Sequence, residues 1–206
     1  MQRHFPLSEA KHDDEVNRED PVDHPQETGC CYQTNRDGFR IDVLRSEAVE
    51  IAVVPQLGAK ILSLTHLRTG RQWLWLPQEA RLFANTPLDP FENSTLLGAD
   101  ECVPTVSPCQ INGRAIADHG EAWGRPWELD SEKLRAGEVT TSVILHSPLR
   151  LGRTISLRGR SGQTVQIDYR LSNLADDSQP FIWAFHPLMK IDADDDLILP
   201  IDSVLV

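Results

Sequence analysis

The chain has 206 residues, enough for one domain that buries roughly two-thirds of its surface, so folding requires neither disulfides nor a structural metal. Its 31 acidic and 20 basic side chains give a formal net charge of −11, which would repel nucleic-acid phosphates and anionic lipids. We therefore expect no nucleic-acid partner and no membrane partner, and a neutral or cationic ligand instead.

Residues 1–30 are rich in Asp, Glu, His, Pro and Asn and contain few large apolar side chains. Such a segment cannot bury enough surface to offset the entropy lost on ordering. We therefore predict a flexible acidic and polar tail over residues 1–30, followed by one domain over residues 31–206.

Cysteine spacing and the N-terminal sequence both favour a reducing cytoplasm. Cys30, Cys31, Cys102 and Cys109 match neither a CxxC motif nor a zinc ribbon. The opening stretch MQRHFPLSEAKHDDEVNRED lacks the apolar region of a signal peptide, and no apolar run reaches the roughly 18 residues of a membrane span. We expect free thiols, no metal, no cofactor and a cytoplasmic location.

Beyond the tail, short runs of alternating apolar and polar residues predict β-strands. The run FRIDVLR places Phe39, Ile41 and Val43 on one face. A later run, VQIDYRL, alternates in the same way at Val165, Ile167, Tyr169 and Leu171. Further strand-like runs are VEIAVVP, AKILSLTHL, RQWLWLP, TTSVILH, RTISLRG, FIWAFHP and DLILPIDSVLV.

Turn residues separate these runs, and no window sustains helical periodicity for three turns. Many short strands without βαβ alternation indicate an all-β fold, an antiparallel β-sandwich. The sequence contains no GxGxxG and no GxxxxGK[ST], which argues against a nucleotide-binding α/β sheet.

Two histidines are candidates for acid–base chemistry. His119, in DHGEAWGRPWEL, precedes Gly120, whose freedom to adopt positive φ would let a turn present the imidazole. Asp118 and Glu121 could orient this ring or raise its pKa. His186, in FIWAFHPLMKI, ends an apolar strand just before a proline, a position typical of a sheet rim. Structural roles, as a turn histidine and a strand cap, remain the alternatives.

Other polar and aromatic residues give weaker signals. Trp123 lies in the Gly-rich turn and offers a flat face to a sugar ring, whereas Trp73, Trp75 and Trp183 are more typical of core packing. Paired-carboxylate glycosidase chemistry by Glu101 with Asp118 or Glu121 stays open. No HExxH and no HxH pair is present, so a metal hydrolase is disfavoured, and the run DADDD reads as a solvated turn.

Taken in order, three segments resemble the galactose mutarotase-like superfamily, which includes the aldose 1-epimerases. VVPQLGAKILSLTHLRTGRQWLWL is similar to the family's opening strands. DHGEAWGRPWEL is similar to its histidine–glycine segment, with Trp127 eight residues after His119, and FIWAFHPLMKI is similar to the segment that carries the second histidine.

The resemblance implies a large antiparallel β-sandwich with a sugar pocket on its concave face. It also implies cofactor-free interconversion of α and β anomers by acid–base ring opening. By position, His186 would be the acid at the ring oxygen and His119 a second donor that positions or polarises the sugar. The sugar-binding candidates are Asp118, Glu101, Trp123 and Arg125, with Arg125 standing in for a family arginine that Trp123 replaces.

One family feature has no counterpart in this sequence. The family's general base is a glutamate far downstream of the second histidine, and only 20 residues follow His186. Three explanations remain open: the chain is a truncated form; another chain completes the sheet by pairing with the apolar end LILPIDSVLV, as in self-association; or Asp100, Glu101 or Glu121 is the base. We therefore expect a mutarotase, with a non-catalytic carbohydrate-binding protein or a truncated fragment as the alternative.

Overall fold

The computed structural model describes residues 30–85, 89–196 and 198. The predicted tail lies outside the described residues except for Cys30, and so does most of the predicted C-terminal strand, including the edge expected to self-associate. The described strands are β1 (Cys30–Arg36), β2 (Phe39–Arg45), β3 (Val49–Val54), β4 (Lys60–His66), β5 (Arg71–Gln72), β6 (Ala99–Cys102), β7 (Cys109–Ile111), β8 (Arg114–Ile116), β9 (Glu128–Leu129), β10 (Glu138–Ile144), β11 (Leu149–Arg158), β12 (Thr164–Asn173) and β13 (Ala184–Pro187).

Helical structure is confined to short pieces. The α-helix α1 (Ser131–Arg135) begins after Asp130, whose carboxylate accepts hydrogen bonds from the backbone N–H groups of Glu132 and Lys133. Two single-turn 3-10 helices lie at Phe91–Asn93 and Arg160–Gly162. Among the described residues, no helix has the length and apolar character needed to cross a membrane.

The strands form two antiparallel sheets and a separate hairpin. The large sheet has the order β1-β2-β3-β4-β6-β13, with β5 paired to β4, and the small sheet has the order β12-β11-β10-β9. The hairpin joins β7 to β8. The predicted all-β antiparallel architecture is therefore confirmed.

The main core lies between the two sheets. Leu44 and Ile51 of the large sheet pack with Val139, Leu151 and Ile155 of the small sheet, and all five are almost fully buried. The predicted face of VQIDYRL is confirmed, since its four alternating apolar residues are partly buried against this core. The alternation of apolar and polar residues thus places one face of each sheet in the interior.

A second apolar cluster covers the opposite face of the large sheet. Ile41 and Val43 of β2 belong to it together with Leu62, Leu82 and Leu97, and Phe39 packs against it. The predicted face of FRIDVLR is therefore confirmed. This second face of the large sheet also carries the histidines.

The tryptophans reverse the expectation drawn from the sequence. Trp73, Trp75 and Trp183 are 43%, 49% and 39% exposed, whereas Trp123 and Trp127 are each only 4% exposed. The prediction of core packing for the first three was wrong because Trp73 and Trp75 lie beyond the short strand β5, and Trp183 immediately precedes β13, the last strand in the described part of the large sheet.

Apolar exposure is concentrated around β13. Beside Trp183, the exposed side chains of this stretch are Phe181, Ile182, Phe185, Met189 and Ile191. Because β13 is the last strand of the large sheet in the described part of the chain, this edge has no further strand beside it there.

Candidate functional site

Alternation along β6 divides its side chains between the two faces of the large sheet. Ala99 lies in the main core, so Glu101 shares that face, and Asp100 and Cys102 point to the other. Strand β13 pairs with β6 so that His186 lies opposite Asp100. Directly opposed residues project to the same face. Asp100, Cys102 and His186 therefore lie together on the side away from the small sheet.

A strained turn brings His119 to the same place. His119 has φ of 60° and Gly120 has φ of 76°, which confirms the predicted positive φ at Gly120. Gly120 forms a bridge with Val103, directly after β6, and an added Cβ would lie well inside 3.0 Å of the Val103 carbonyl. Only glycine permits this approach. A non-glycine residue held at positive φ is a form of strain often found at functional sites.

The two histidine rings meet face to edge, and we call His119 and His186 the histidine pair. Their ring centroids are 5.0 Å apart with an interplanar angle of 71°. Phe91 stacks on His119 at 3.8 Å and lies edge-on to His186 at 5.6 Å. Trp123 packs edge-on against Phe91 at 5.1 Å. Aromatic side chains therefore pack around the histidine pair.

The charged neighbours distinguish the two histidines. Asp118 Oδ2 lies 2.8 Å from His119 Nδ1, which favours a proton on Nδ1 and leaves Nε2 as the free nitrogen. Burial lowers the pKa of His186, and the nearby His119 acts in the same direction, while Asp100 opposes it. His186 Nδ1 is buried without a hydrogen-bond partner among the described residues. His186 is therefore mainly neutral at pH 7.

Beneath the pair lies a buried ion pair. Lys60 Nζ is 2.5 Å from Asp100 Oδ2 and donates a second hydrogen bond to the Leu97 carbonyl. Burial raises the pKa of Asp100, and the Lys60 ammonium opposes that rise. The other oxygen, Asp100 Oδ1, has no hydrogen-bond partner in the described structure. The ion pair places one unsatisfied acceptor close to His186.

Glu101 occupies the opposite face and connects the two sheets. Its Oε1 accepts hydrogen bonds from Arg153 Nη1 at 2.8 Å and from the Tyr169 hydroxyl at 2.7 Å. Its Oε2 accepts a hydrogen bond from Trp183 Nε1 at 2.9 Å. Glu101 and Arg153 are both fully buried. With three donors bound, Glu101 is held away from the histidine pair, and its role in this arrangement is structural.

The other sequence candidates separate into two groups. Asp118 and Trp123 lie at the histidine pair, Asp118 through His119 and Trp123 through Phe91. Arg125 instead donates to the imidazole of His146, and Glu121 Oε2 accepts from the Ser147 backbone N–H at 3.1 Å. The structure does not bring Arg125, Glu121 or Glu101 to the pair.

Two residues that the sequence did not single out complete the site. Phe91 comes from the 3-10 turn after Pro90. Its only signal in the sequence was an aromatic residue beside turn-forming residues. Cys102 shares its face with His186. Its thiol and one nitrogen of each histidine all lie within 4.8 Å of one another. Burial, followed by nearby carboxylates, raises the pKa of Cys102 to about 12.

Comparisons with known proteins find matches among solved structures only. No family model matches the sequence, and no curated protein matches it. The crystal structure of a galactose mutarotase-like protein from Lactobacillus casei matches 75% of this chain and 52% of its own, with a TM-score of 0.55 and 15% identity. A galactose mutarotase-like protein from Clostridium acetobutylicum matches 79% of this chain and 54% of its own, with a TM-score of 0.57 and 11% identity.

The identities are low, so the likeness concerns backbone architecture rather than chemistry. The chain spans about half the length of each of these two proteins. The chain therefore has the galactose mutarotase-like fold.

Proposed function

We propose that this chain acts on a carbohydrate as an aldose mutarotase, interconverting α and β anomers without a cofactor. The observation that carries the proposal is the convergence of His119 and His186, which come from distant parts of the sequence and meet with ring centroids 5.0 Å apart. Two imidazoles this close together could supply an acid and a base to the same small ligand.

The surroundings of the pair suit a sugar. Phe91 and Trp123 form a buried apolar wall behind the histidine pair, which keeps the surroundings of the two imidazoles apolar. Three buried polar atoms at this wall and its floor lack hydrogen-bond partners in the described structure, namely Asp100 Oδ1, Trp123 Nε1 and His186 Nδ1. Buried polar groups without partners are rare, and sugar hydroxyls would satisfy them.

The proposed chemistry is a balanced proton exchange. A base takes the proton of the C1 hydroxyl, the C1–O5 bond breaks as the carbonyl forms, and an acid protonates the departing ring oxygen. Rotation about C1–C2 and closure from the opposite face give the other anomer. On closure the protonated base returns its proton to the C1 oxygen and the deprotonated acid takes back the proton of the C5 hydroxyl, so both groups regain their starting states.

The surroundings of the two histidines support a division of the two roles. Asp118 holds a proton on His119 Nδ1 and would stabilise the imidazolium, so Nε2 of His119 suits the base. The pKa of His186 is lowered, so His186 is mainly neutral at pH 7, and its minor protonated fraction is a stronger acid than an ordinary imidazolium and would suit the ring oxygen. His119 would thereby fill the place of the carboxylate base expected further along the sequence.

A carbohydrate-binding protein without turnover is the second candidate. It is favoured because each carboxylate that the sequence suggested as a base is already engaged by other protein groups. Glu101 is bound by three donors, Asp100 is paired with Lys60, and Glu121 accepts from a backbone N–H. None of the three stands free at the histidine pair, so binding without exchange is the outcome if His119 cannot act as the base.

Anomer exchange measured by magnetisation-transfer NMR tests the proposal on a panel of aldoses. We expect exchange faster than buffer in the wild type and a loss of about 10²- to 10⁴-fold in His186→Ala. His66→Ala is the matched control, because His66 lies at the end of β4 and contacts Thr69 rather than the pair. Tryptophan fluorescence measures sugar binding in the same samples. Binding without exchange in the wild type would select the second candidate, and absence of both would refute the proposal.

The cytoplasm is the proposed location. All four cysteines are free, which supports residence in a reducing compartment. Fractionation of the source cells with an antibody against the chain tests this assignment.

A further inference from the structure

The histidine pair has a third neighbour whose chemistry the proposed sugar reaction does not use. Cys102 contributes a thiol from β6, His186 an imidazole from β13, and His119 an imidazole from the turn held by Gly120. One sulfur and two nitrogens lie within 4.8 Å of one another. Thiolate and imidazole are the ligands that zinc and similar thiophilic ions prefer.

The distances are close to those of a metal site. In a tetrahedral zinc centre with bonds of 2.0 to 2.3 Å, neighbouring ligand atoms are separated by about 3.5 Å. Because the three atoms lie within 4.8 Å of one another, each pair needs to approach by at most about 1.3 Å, which side-chain rotation can provide. Three ligands also leave a fourth position for water or a substrate oxygen, as in catalytic zinc sites.

The surroundings of His119 match those of a metal-bound histidine. Ligating histidines usually donate their second ring N–H to a carboxylate, which fixes the tautomer and the ring orientation. Asp118 supplies that carboxylate at 2.8 Å from His119 Nδ1. Phe91 stacks on the same ring with an interplanar angle of 9° and restricts its rotation.

Two independent features favour a cation at this place. His186 Nδ1 is buried without a partner among the described residues, so the ring carries unused bonding capacity. The nearby Lys60–Asp100 pair carries no net charge, and neither does the Arg153–Glu101 pair. Asp118 adds one negative charge. The field at the three ligands is therefore favourable for a divalent ion.

We propose that Cys102, His119 and His186 bind a thiophilic divalent ion such as Zn²⁺, and that the ion and the sugar compete for the histidine pair. The proposal that the ion binds is argued from the three ligands and their neighbours, and it does not depend on the proposed function. Competition with the sugar rests on the proposed function, because it requires the histidine pair to hold the sugar.

The test begins with Co²⁺, whose thiolate complexes show a charge-transfer band. The vicinal thiols Cys30 and Cys31 are removed first, by Cys30→Ala with Cys31→Ala, so that they cannot supply the thiolate. In this background we expect a charge-transfer band at one equivalent of Co²⁺, displaced by Zn²⁺. Cys102→Ala should abolish the band, whereas Cys109→Ala, which removes an exposed thiol, should keep it. Absence of the band in the background protein, or its survival in Cys102→Ala, overturns the proposal.

Two further variants separate a metal ligand from a residue needed for folding. Asp118→Asn should weaken Zn²⁺ affinity by roughly 10- to 100-fold while retaining the band at saturation, because it alters only the orientation of His119. His119→Gln should shift the visible bands by removing one nitrogen. Circular dichroism of each variant shows that it is folded.

Zn²⁺ is finally added to the NMR exchange assay and removed with a chelator. Reversible inhibition supports competition with the sugar, whereas unchanged exchange with Zn²⁺ bound refutes it. If the protein shows no exchange at all, the proposed function fails, while the Co²⁺ band still decides whether the ion binds.

Discussion

Replacing Gly120 with alanine should destabilise the protein far more than the same change at Gly113. Both glycines have φ of 76°, so both substitutions force an alanine into the left-handed region. That conformation costs about 1 to 2 kcal/mol for a residue with a Cβ. Around Gly113, in the β7–β8 turn, an added Cβ meets nothing within 4 Å, so no further cost arises there.

At Gly120 the new methyl group also collides with backbone. It would lie inside 3.0 Å of the carbonyl carbon and oxygen of Val103, and at 3.0 Å from the Thr105 carbonyl oxygen. Overpacking of a rigid site adds about 1 to 3 kcal/mol, giving a total of about 2 to 5 kcal/mol. Displacement of the turn should also move His119 away from His186.

Urea unfolding curves of the two variants and the wild type measure this difference. The unfolding midpoint of Gly113→Ala should fall slightly, and that of Gly120→Ala should fall at least twice as much with an unchanged slope. Equal midpoints for the two variants would refute the argument that close contact with Val103 fixes the His119 turn.

Three further predictions concern buried titratable groups. Stability should fall as pH drops below about 6.5, because the folded pKa of His186 lies below its unfolded value and the unfolded chain takes up the proton first; His186→Gln should reduce the fall measured in urea. Cys102 should resist iodoacetamide at pH 8 while Cys109 reacts, since the Cys102 thiol has a pKa of about 12, and mass spectrometry of tryptic peptides would contradict this if both were alkylated equally. Arg153→Ala should cost about 3 to 5 kcal/mol by leaving Glu101 buried without its cation, and a thermal unfolding midpoint close to wild type would argue against a buried charge there.

The sequence predicted those parts of the fold that depend on local pattern. Alternation in β2 and β12 identified the correct buried faces, because a period of two leaves only one face for the apolar residues. The glycine after His119 predicted a turn that presents the imidazole, since glycine accommodates positive φ with little strain. These inferences need only neighbouring residues.

Features that depend on which strands become neighbours were beyond the sequence. Asp100 and Glu101 are adjacent carboxylates in the sequence, yet Glu101 binds Arg153 across the sheets and Asp100 binds Lys60 on the opposite side. Cys102 joined the histidines only because β13 pairs with β6 and the His119 turn lies against Val103. Both arrangements depend on pairing between strands that are distant along the chain. The spacing of residues in the sequence does not reveal which strands pair.

The acidic run after β13 has a consequence for how the chain behaves at high concentration. Asp192 and Asp195 are anchored to Arg71 at 2.7 Å, so they stay beside the exposed apolar side chains of the terminal strand. Charges placed next to an open, apolar strand act as gatekeepers that disfavour stacking of one molecule on another. The ionised carboxylates therefore protect the exposed apolar side chains around β13 against stacking, and acidification or concentrated salt weakens that protection.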